Sequence, residues 1–488
     1  MRFRRILPTL LFGALLAGCN DLDLTNPNQP STETFWQTDD DALAGINATY
    51  NGLMQNGVYG RWQSFAFDIR SDIGFSPSPW ADLANFNKFT LTDYNFEVNR
   101  EVWQHHYQAI ARANQVITYV PDIDMDAALR DRVVGEAKFI RALLYFNLLN
   151  LYENVPLITT VLLPEDRPAT ASPAQLYTQI EKDLTEAIPV LPGSYDNANR
   201  GRATKGAAQA LLGKVQLQQR KWGDAATTLA PVITAGYDLM PDYAENFRGD
   251  RNENNVESVF EVQFGDRTLL ASGVRGLNIA KMNGPCGPTY CDGRPTRWYY
   301  DQFLLEPTVG GGVDPRLDAT IFHPGSTDVY GRTYVDRYGA GSTELFFKKW
   351  GEYYIPGDQD WDAAINFRVI RFADVLLMRA EALNEGGSPG TARPLVDRVR
   401  QRAGLAPLPL SINQAQMRAE ILHQRLLEFG MEAQRWLDLK RQNLLADLTT
   451  LKSHDAEFNF FVSNKSERLP IPQSEVNLNP NVVQNINW

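Results

Sequence analysis

Residues 203–237 read ATKGAAQALLGKVQLQQRKWGDAATTLAPVITAGY, and the architecture is read outward from this stretch. Gly206, Ala207, Ala210 and Gly213 place small residues where a partner helix can approach closely. Lys221-Trp222-Gly223 makes a turn, and Ala225, Leu229 and Val232 then line one face of a second helix. The pattern returns downstream, where Ala380, Ala392 and Val396 repeat the spacing of Gly213, Ala225 and Leu229 across another helix–turn–helix segment.

Two such pairs resemble the small and large packing positions of tetratricopeptide (TPR) helix pairs, so the predicted fold is mostly α, a TPR-like right-handed superhelix. Upstream, Asp39-Asp40-Asp41 suits a helix N-terminus, with Ala42, Ile46, Tyr50 and Leu53 on one face. A second helix is expected from about Arg100 to Val120, and a third over Ala127–Tyr152, apolar almost all round its second half and so covered on several sides. Ser172-Pro173 opens another through Leu191. Helices are also expected over Phe372–Glu385, Gly390–Ala403 and, unbroken, Ala415–Leu445. Between these halves the chain is rich in Gly, Pro and aromatics, which reads as loops and short strands inserted into the helical body. The resulting division is 39–250 helical, 251–368 insert, 369–450 helical and 451–488 an irregular tail.

The composition, 43% hydrophobic and 22% charged over 488 residues, supports a substantial core. A net charge of -11 argues against nucleic acid as partner. Arg2, Arg4 and Arg5 precede a short apolar run, Ile6–Ala17, which is too short to span a membrane. It ends Leu16-Ala17-Gly18-Cys19, similar to the lipobox of bacterial lipoproteins. Residues 1–18 are therefore expected to be a signal peptide, Cys19 the lipidated residue and 19–38 a tether. The two remaining cysteines, Cys286 and Cys291, flank Gly-Pro-Thr-Tyr, and an exported chain favours their pairing as a disulfide.

Several further motifs point to one family. They are Glu136-Ala-Lys-Phe-Ile-Arg141 followed by Val155-Pro156-Leu157-Ile158, then Arg371-Phe-Ala-Asp374 through Glu381 and Asn384-Glu385, then Val399-Arg400-Gln-Arg402-Ala-Gly404. Glu428-Phe-Gly-Met-Glu432, Arg435-Trp436-Leu-Asp438-Leu-Lys440-Arg441 and the tail from Leu469-Pro470-Ile471-Pro472 to Gln484-Asn485 complete the set. Over essentially the whole mature chain they resemble the SusD/RagB family, with Gln424 where an acid is common and Ala433 where glycine is common. The resemblance implies a SusD-like fold and a lipoprotein on the outer face of an outer membrane. It further implies a capture protein that binds nutrient oligomers, above all polysaccharides or oligosaccharides, and passes them to a SusC-like TonB-dependent transporter without breaking a covalent bond. A periplasmic TPR scaffold for protein assembly and a glycan hydrolase are the competing readings.

The charged residues of these motifs (Glu136, Arg141, Arg371, Asp374, Glu381, Arg435, Asp438) sit at helical spacing among apolar neighbours, which suits ion pairs between helices better than acid–base catalysis. No catalytic residue is expected. The five histidines lack metal-ligand spacing, so no metal and no cofactor is expected, and a structural calcium has no motif behind it. Sugars present apolar C–H faces with a rim of hydroxyls, which aromatic rings and polar side chains match. Two loop regions offer that mixture. One contains Asp72, Trp80, Asn85 and Asn87, and the other Arg297, Trp298 and Tyr299 beside the two cysteines. Trp80, Asp72, Asn85, Asn87, Arg297, Trp298 and Tyr299 are the predicted ligand contacts. A third aromatic group (Trp350, Tyr353, Tyr354, Trp361) could join them or face the transporter.

Overall fold

The computed structural model describes residues 35–271 and 273–488, so the predicted leader, Cys19 and the tether up to residue 34 lie outside the described residues. The N-terminal helices are α1 (Asp39–Leu53), α2 (Glu97–Tyr119), α3 (Ala127–Tyr152), α4 (Pro173–Ala187), α5 (Lys205–Gln218) and α6 (Trp222–Leu229). After the loop-rich insert, which carries the short helix α7 (Arg297–Gln302), come α8 (Phe372–Glu385), α9 (Pro389–Arg402), α10 (Gln414–Phe429), α11 (Arg435–Arg441) and α12 (Leu448–His454). The mostly α prediction is borne out. Local chemistry fixes the helix starts: Thr38 with Asp41, Ser172 with Gln175 and Asn413 with Gln416 form reciprocal capping boxes at α1, α4 and α10.

The two TPR-like pairs form as read. A Cβ built on Gly213 in α5 would lie 2.5 Å from Leu229 of α6, so only glycine lets these helices close to that distance. Ala380, Ala392 and Val396 are fully buried, and α8 packs against both α9 and α6, which joins the two pairs. Helix α3 is covered by α2 and α4, in keeping with its nearly unbroken buried half.

Four of the short strands tie the insert to the helical body: β1 (Gly74–Phe75), β2 (Ser258–Val262), β3 (Arg294–Pro295) and β4 (Phe367–Arg371). Strand β2 pairs antiparallel with β4, Ser258 opposite Arg371, and β4 runs directly into α8. The tail returns to the first half: Leu469 N–H donates to the Leu151 carbonyl at 2.7 Å, and Asn485 Nδ2 donates to the Tyr152 and Leu469 carbonyls, each at 2.7 Å.

One prediction is corrected. The expected helix over 415–445 is broken at 430–434, where Met431 (φ 65°) and Ala433 (φ 58°) take left-handed backbone. A Cβ on Gly430 would lie 2.0 Å from the Tyr299 hydroxyl, so the chain passes the insert too closely for a helix to continue. The left-handed Ala433 explains why glycine suits that place.

The motif charges are buried and paired. Arg371 binds three carboxylates: Glu432 through Nε at 2.7 Å, and Glu257 and Glu428 through Nη1 at 2.5 and 2.9 Å. Glu428 also receives Arg402 at 2.5 Å and Arg316 at 3.3 Å, while Lys349 Nζ donates to Glu432 at 2.8 Å. A second group joins Lys214 and Arg425 to Asp374, each at 2.8 Å, with Arg425 and Arg441 on Asp438 and Arg441 on Glu381. Elsewhere Arg141 forks onto Asp183, Arg202 meets Glu136 at 3.0 Å, and Arg435 forks onto Asp72 at 2.7 Å for both bonds. Breaking one side of such a buried set costs more than the set contributes, because the partner charge is stranded. Arg371→Met is therefore expected to destabilise the fold by about 3–5 kcal/mol, read as a lower urea midpoint of the full-length protein.

Burial acts on these carboxyls in two directions. At Asp374 it opposes ionisation, but Lys214 and Arg425 outweigh it and bring the group down to about 2. At Asp72 burial is outweighed in the same way by Arg435 and His454, again to about 2. Asp68, which accepts the backbone N–H of Ala433 at 2.6 Å and of Arg435 at 3.4 Å, is pushed up by burial to about 7. Asp455 is also pushed up by burial to about 7. The lowered pair stabilises the fold above the unfolded carboxyl value of ~3.9, and that stability is lost as pH falls towards 2. The raised pair contributes fully below ~4 and loses its contribution as pH rises through 7. Thermal stability is expected to peak at mildly acidic pH and to fall on both sides. Asp68→Asn should flatten the decline between pH 5 and 7.5 in a series of thermal melts.

Candidate functional site

Strand pairing brings the two predicted loop regions together. Gly74 lies opposite Pro295 and Phe75 opposite Arg294. Thr296 Oγ1 donates to the Asp72 carbonyl at 2.9 Å, and Ser76 Oγ donates to the Asp292 carbonyl at 2.7 Å. Within this seam the predicted contacts separate by burial. Asp72, Asn87 and Tyr299 are buried and are corrected as ligand contacts. The Asp72 carboxylate is taken by Arg435 and by His454 Nδ1 at 3.0 Å; Asn87 Nδ2 donates back to the Leu83 carbonyl at 2.8 Å; Tyr299 packs against Gly430.

The other four keep exposed surface. Trp80 is half-buried, edge-on to Trp62 and Phe96 at 6.3 and 5.0 Å between centroids. Asn85 Oδ1 accepts Thr90 Oγ1 at 3.0 Å. Arg297 is exposed, pairs with Asp301 at 2.8 Å and stands 5.1 Å from the Tyr300 ring. Trp298 lays one face on the His454 imidazole, 3.6 Å between centroids and 11° from parallel, so one face is already occupied.

Two more exposed rings stand together beside Asp292. Tyr290 (55% exposed) and Trp361 (39% exposed) have centroids 6.1 Å apart and planes tilted by 52°. The Arg61 guanidinium lies 3.8 Å from the buried Trp62 ring and 5.0 Å from Trp361, and Lys281 Nζ lies 5.4 Å from Tyr290. Tyr290 and Trp361 form an exposed aromatic platform, and Arg61 connects Trp361 to the buried Trp62 ring, which the half-buried Trp80 meets edge-on.

Tyr290, Trp361, Trp62 and Arg61 are each tied to neighbouring segments. Tyr290 N–H donates to the Lys281 carbonyl at 2.9 Å, and Lys281 Nζ donates to the Gln359 carbonyl at 2.8 Å. Asn278 Nδ2 donates to the Trp361 carbonyl at 2.7 Å. Trp62 Nε1 donates to Glu101 of α2 at 2.7 Å, and Arg61 pairs with Glu97 at 3.4 Å. The turn carrying Arg61 passes so close to α2 that a Cβ on Gly57 would fall 2.0 Å from the Glu101 carbonyl. Cys286 and Cys291 are joined as a disulfide with Cα atoms 5.0 Å apart, and Tyr290 is displayed by that closed loop.

Sequence reasoning missed Tyr290 and Arg61 and gave Trp361 only a secondary place. Tyr290 carried a usable signal, because an aromatic residue inside a short Gly-Pro loop between cysteines has no room to reach a core. Arg61 carried none. Among the described residues no group of three or more His, Cys, Asp or Glu side chains is placed to hold a metal ion. No described helix is long and apolar enough to cross a membrane.

Comparison with known proteins gives a consistent result. Residues 257–488 match the family described as the SusD family, and residues 22–217 match the family described as starch-binding, associating with outer membrane. The chain is 27% identical to SusD-like protein P2 of Formosa agariphila, covering 96% of each chain. A solved laminarin-binding SusD-like protein is 31% identical with a TM-score of 0.76, covering 93% of this chain and all of that one. A SusD superfamily protein from Bacteroides vulgatus superposes with a TM-score of 0.83 at 25% identity, over 93% of this chain and 100% of that one.

Proposed function

The chain belongs to the SusD family, and we propose that it is an outer-membrane-associated, surface-exposed carbohydrate-binding lipoprotein that hands its ligand to a SusC-like TonB-dependent transporter. The observation that carries the binding part is the platform: Tyr290 and Trp361 are exposed side by side, with the Arg61 guanidinium 5.0 Å from the Trp361 ring. Exposed neighbouring aromatics are costly unless something covers them, and sugar C–H faces with hydroxyl rims are matched to rings edged by polar groups. The starch-binding family description and the laminarin-binding relative support carbohydrate as the ligand class. Anchoring through Cys19, the outward orientation and the transporter partnership belong to the same reading, supported by family membership and the lipobox-like Leu16-Ala17-Gly18-Cys19. Trp80, Asn85, Arg297 and Trp298 serve in it as flanking contacts. The protein acts by binding and carries out no covalent step.

The 52° tilt between the two rings adds a statement about ligand shape. A flat ribbon-like glycan presents successive faces in parallel planes, whereas a chain that turns between residues presents them at an angle. The platform therefore favours curved glucans over flat ones.

Affinity electrophoresis of the protein from Asn20 onward, through gels containing different polysaccharides, tests the reading. Retardation by at least one glycan is expected, with Trp361→Ala or Tyr290→Ala weakening it by about tenfold or more, as central aromatic anchors do. Trp80→Ala and Trp298→Ala should weaken it less. Unaltered retardation in both Trp361→Ala and Tyr290→Ala would remove the platform from the site. Titration calorimetry with equal-length oligosaccharides should show tighter binding for α-1,4- or β-1,3-linked glucans than for β-1,4-linked ones; the reverse order would refute the shape argument.

A further inference from the structure

We propose that Cys286 and Cys291 are positioning residues for the ligand, their disulfide holding Tyr290 in the platform so that carbohydrate affinity depends on the oxidation state of this pair. The inference rests on the carbohydrate reading above and adds what fixes the geometry of that site.

Tyr290 is more than half exposed, so its ring is not oriented by burial in the core. Its ring neighbours are Trp361 and the Lys281 ammonium, both at the surface of the same platform. The direction in which the ring leaves the chain is set by the backbone, and the next residue, Cys291, is left-handed (φ 49°), a conformation that a residue bearing a Cβ disfavours. Hydrogen bonds hold the backbone here: Tyr290 N–H donates to the Lys281 carbonyl at 2.9 Å, Cys291 N–H to Thr289 Oγ1 at 3.2 Å and Asp292 N–H to the Met282 carbonyl at 2.7 Å. The disulfide adds the covalent constraint that closes the loop.

It also supplies a fixed mass. Cys286 and Cys291 pack against a small apolar cluster of Phe322, Val329, Tyr330, Tyr334 and Phe346, separate from the main core. Tyr338 Oη donates to the Cys286 carbonyl at 2.9 Å, and Arg294 Nη2 reaches Cys286 Sγ at 3.0 Å. Through Arg294 in β3 the staple is tied to the seam with β1. Opening the disulfide removes the covalent tie across the loop carrying Tyr290 and leaves it held by hydrogen bonds alone, such as Tyr338 Oη to the Cys286 carbonyl and Lys281 Nζ to the Pro288 carbonyl, while the main core and its ion pairs are not part of that tie.

The test uses the full mature chain and a glycan that retards the wild-type protein. Dithiothreitol supplies two electrons and two protons, converts the disulfide to two thiols and itself becomes the cyclic disulfide; Cys286→Ser/Cys291→Ser gives the same state without reductant. Either change is expected to weaken binding by about tenfold, the scale of coupling between residues in contact, with the main thermal transition retained. A general structural role is separated by a double-mutant cycle: in a Tyr290→Ala background, loss of the disulfide should change affinity no further. Equal affinity of oxidised and reduced wild-type protein overturns the proposal, and so does an equal loss on reduction in the Tyr290→Ala background. Failure of the oxidised wild-type protein to bind any glycan overturns the carbohydrate reading itself.

Discussion

The Arg371 guanidinium at the end of β4, with Glu257, Glu428 and Glu432 around it, is the constraint from which the rest of the structure hangs. Its three partners come from two distant parts of the sequence: Glu257 just before β2, and Glu428 and Glu432 at the end of α10 and in the irregular turn after it. None of the four can move alone, because each charge is out of water and tolerable only while the others are in place. The turn after α10 is fixed from both sides. Glu432 is held by Arg371 and Lys349, while the Met431 carbonyl accepts Trp350 Nε1 at 2.7 Å. With the chain pinned on either side of it, left-handed backbone at Met431 and Ala433 is retained despite its local cost.

From that turn the constraint passes to the aromatic platform through a short series of bonds. Ala433 N–H donates to Asp68, and Arg435 forks onto Asp72, so the segment that leads into β1 is located by the turn. Strand β1 pairs with β3, and Ser76 holds the Asp292 carbonyl, two residues beyond Tyr290. The body is therefore an apolar core cross-braced by buried ion pairs, and the platform is a set of loops referred to it by a few hydrogen bonds.

What the sequence made legible reflects this division. Helix pairs were readable because small residues such as Gly213 must face large ones such as Leu229 at fixed spacing, and the motif charges were readable as ion pairs because they interrupt apolar faces at helical intervals. The break after Phe429 was not readable from periodicity, since nothing in Ala415–Leu445 announces the close approach of Tyr299 to Gly430. In the loops, composition picked out the two regions but neither their pairing in one seam nor which side chains point outward. Asp72 was named for its chemistry and turned out to be spent on Arg435 and His454. Tyr290 and Arg61 belong to the platform through contacts separated by tens to hundreds of residues, and no local pattern encodes those.

The same contacts bear on what kind of ligand the platform admits. Arg61 is the cation set between its rings, yet it is drawn towards Glu97 and lies beside Glu101, which already accepts Trp62 Nε1. Partial burial lowers the affinity of its guanidinium for the proton, and those two carboxylates pull the other way. The guanidinium stays a cation with Glu97 and Glu101 beside it as counter-charges. The formal net charge of the chain, -11, works against anionic ligands at long range. The close passage of Gly57 against α2 is what puts Arg61 there, so a residue with no side chain of its own takes part in defining the chemistry of the site.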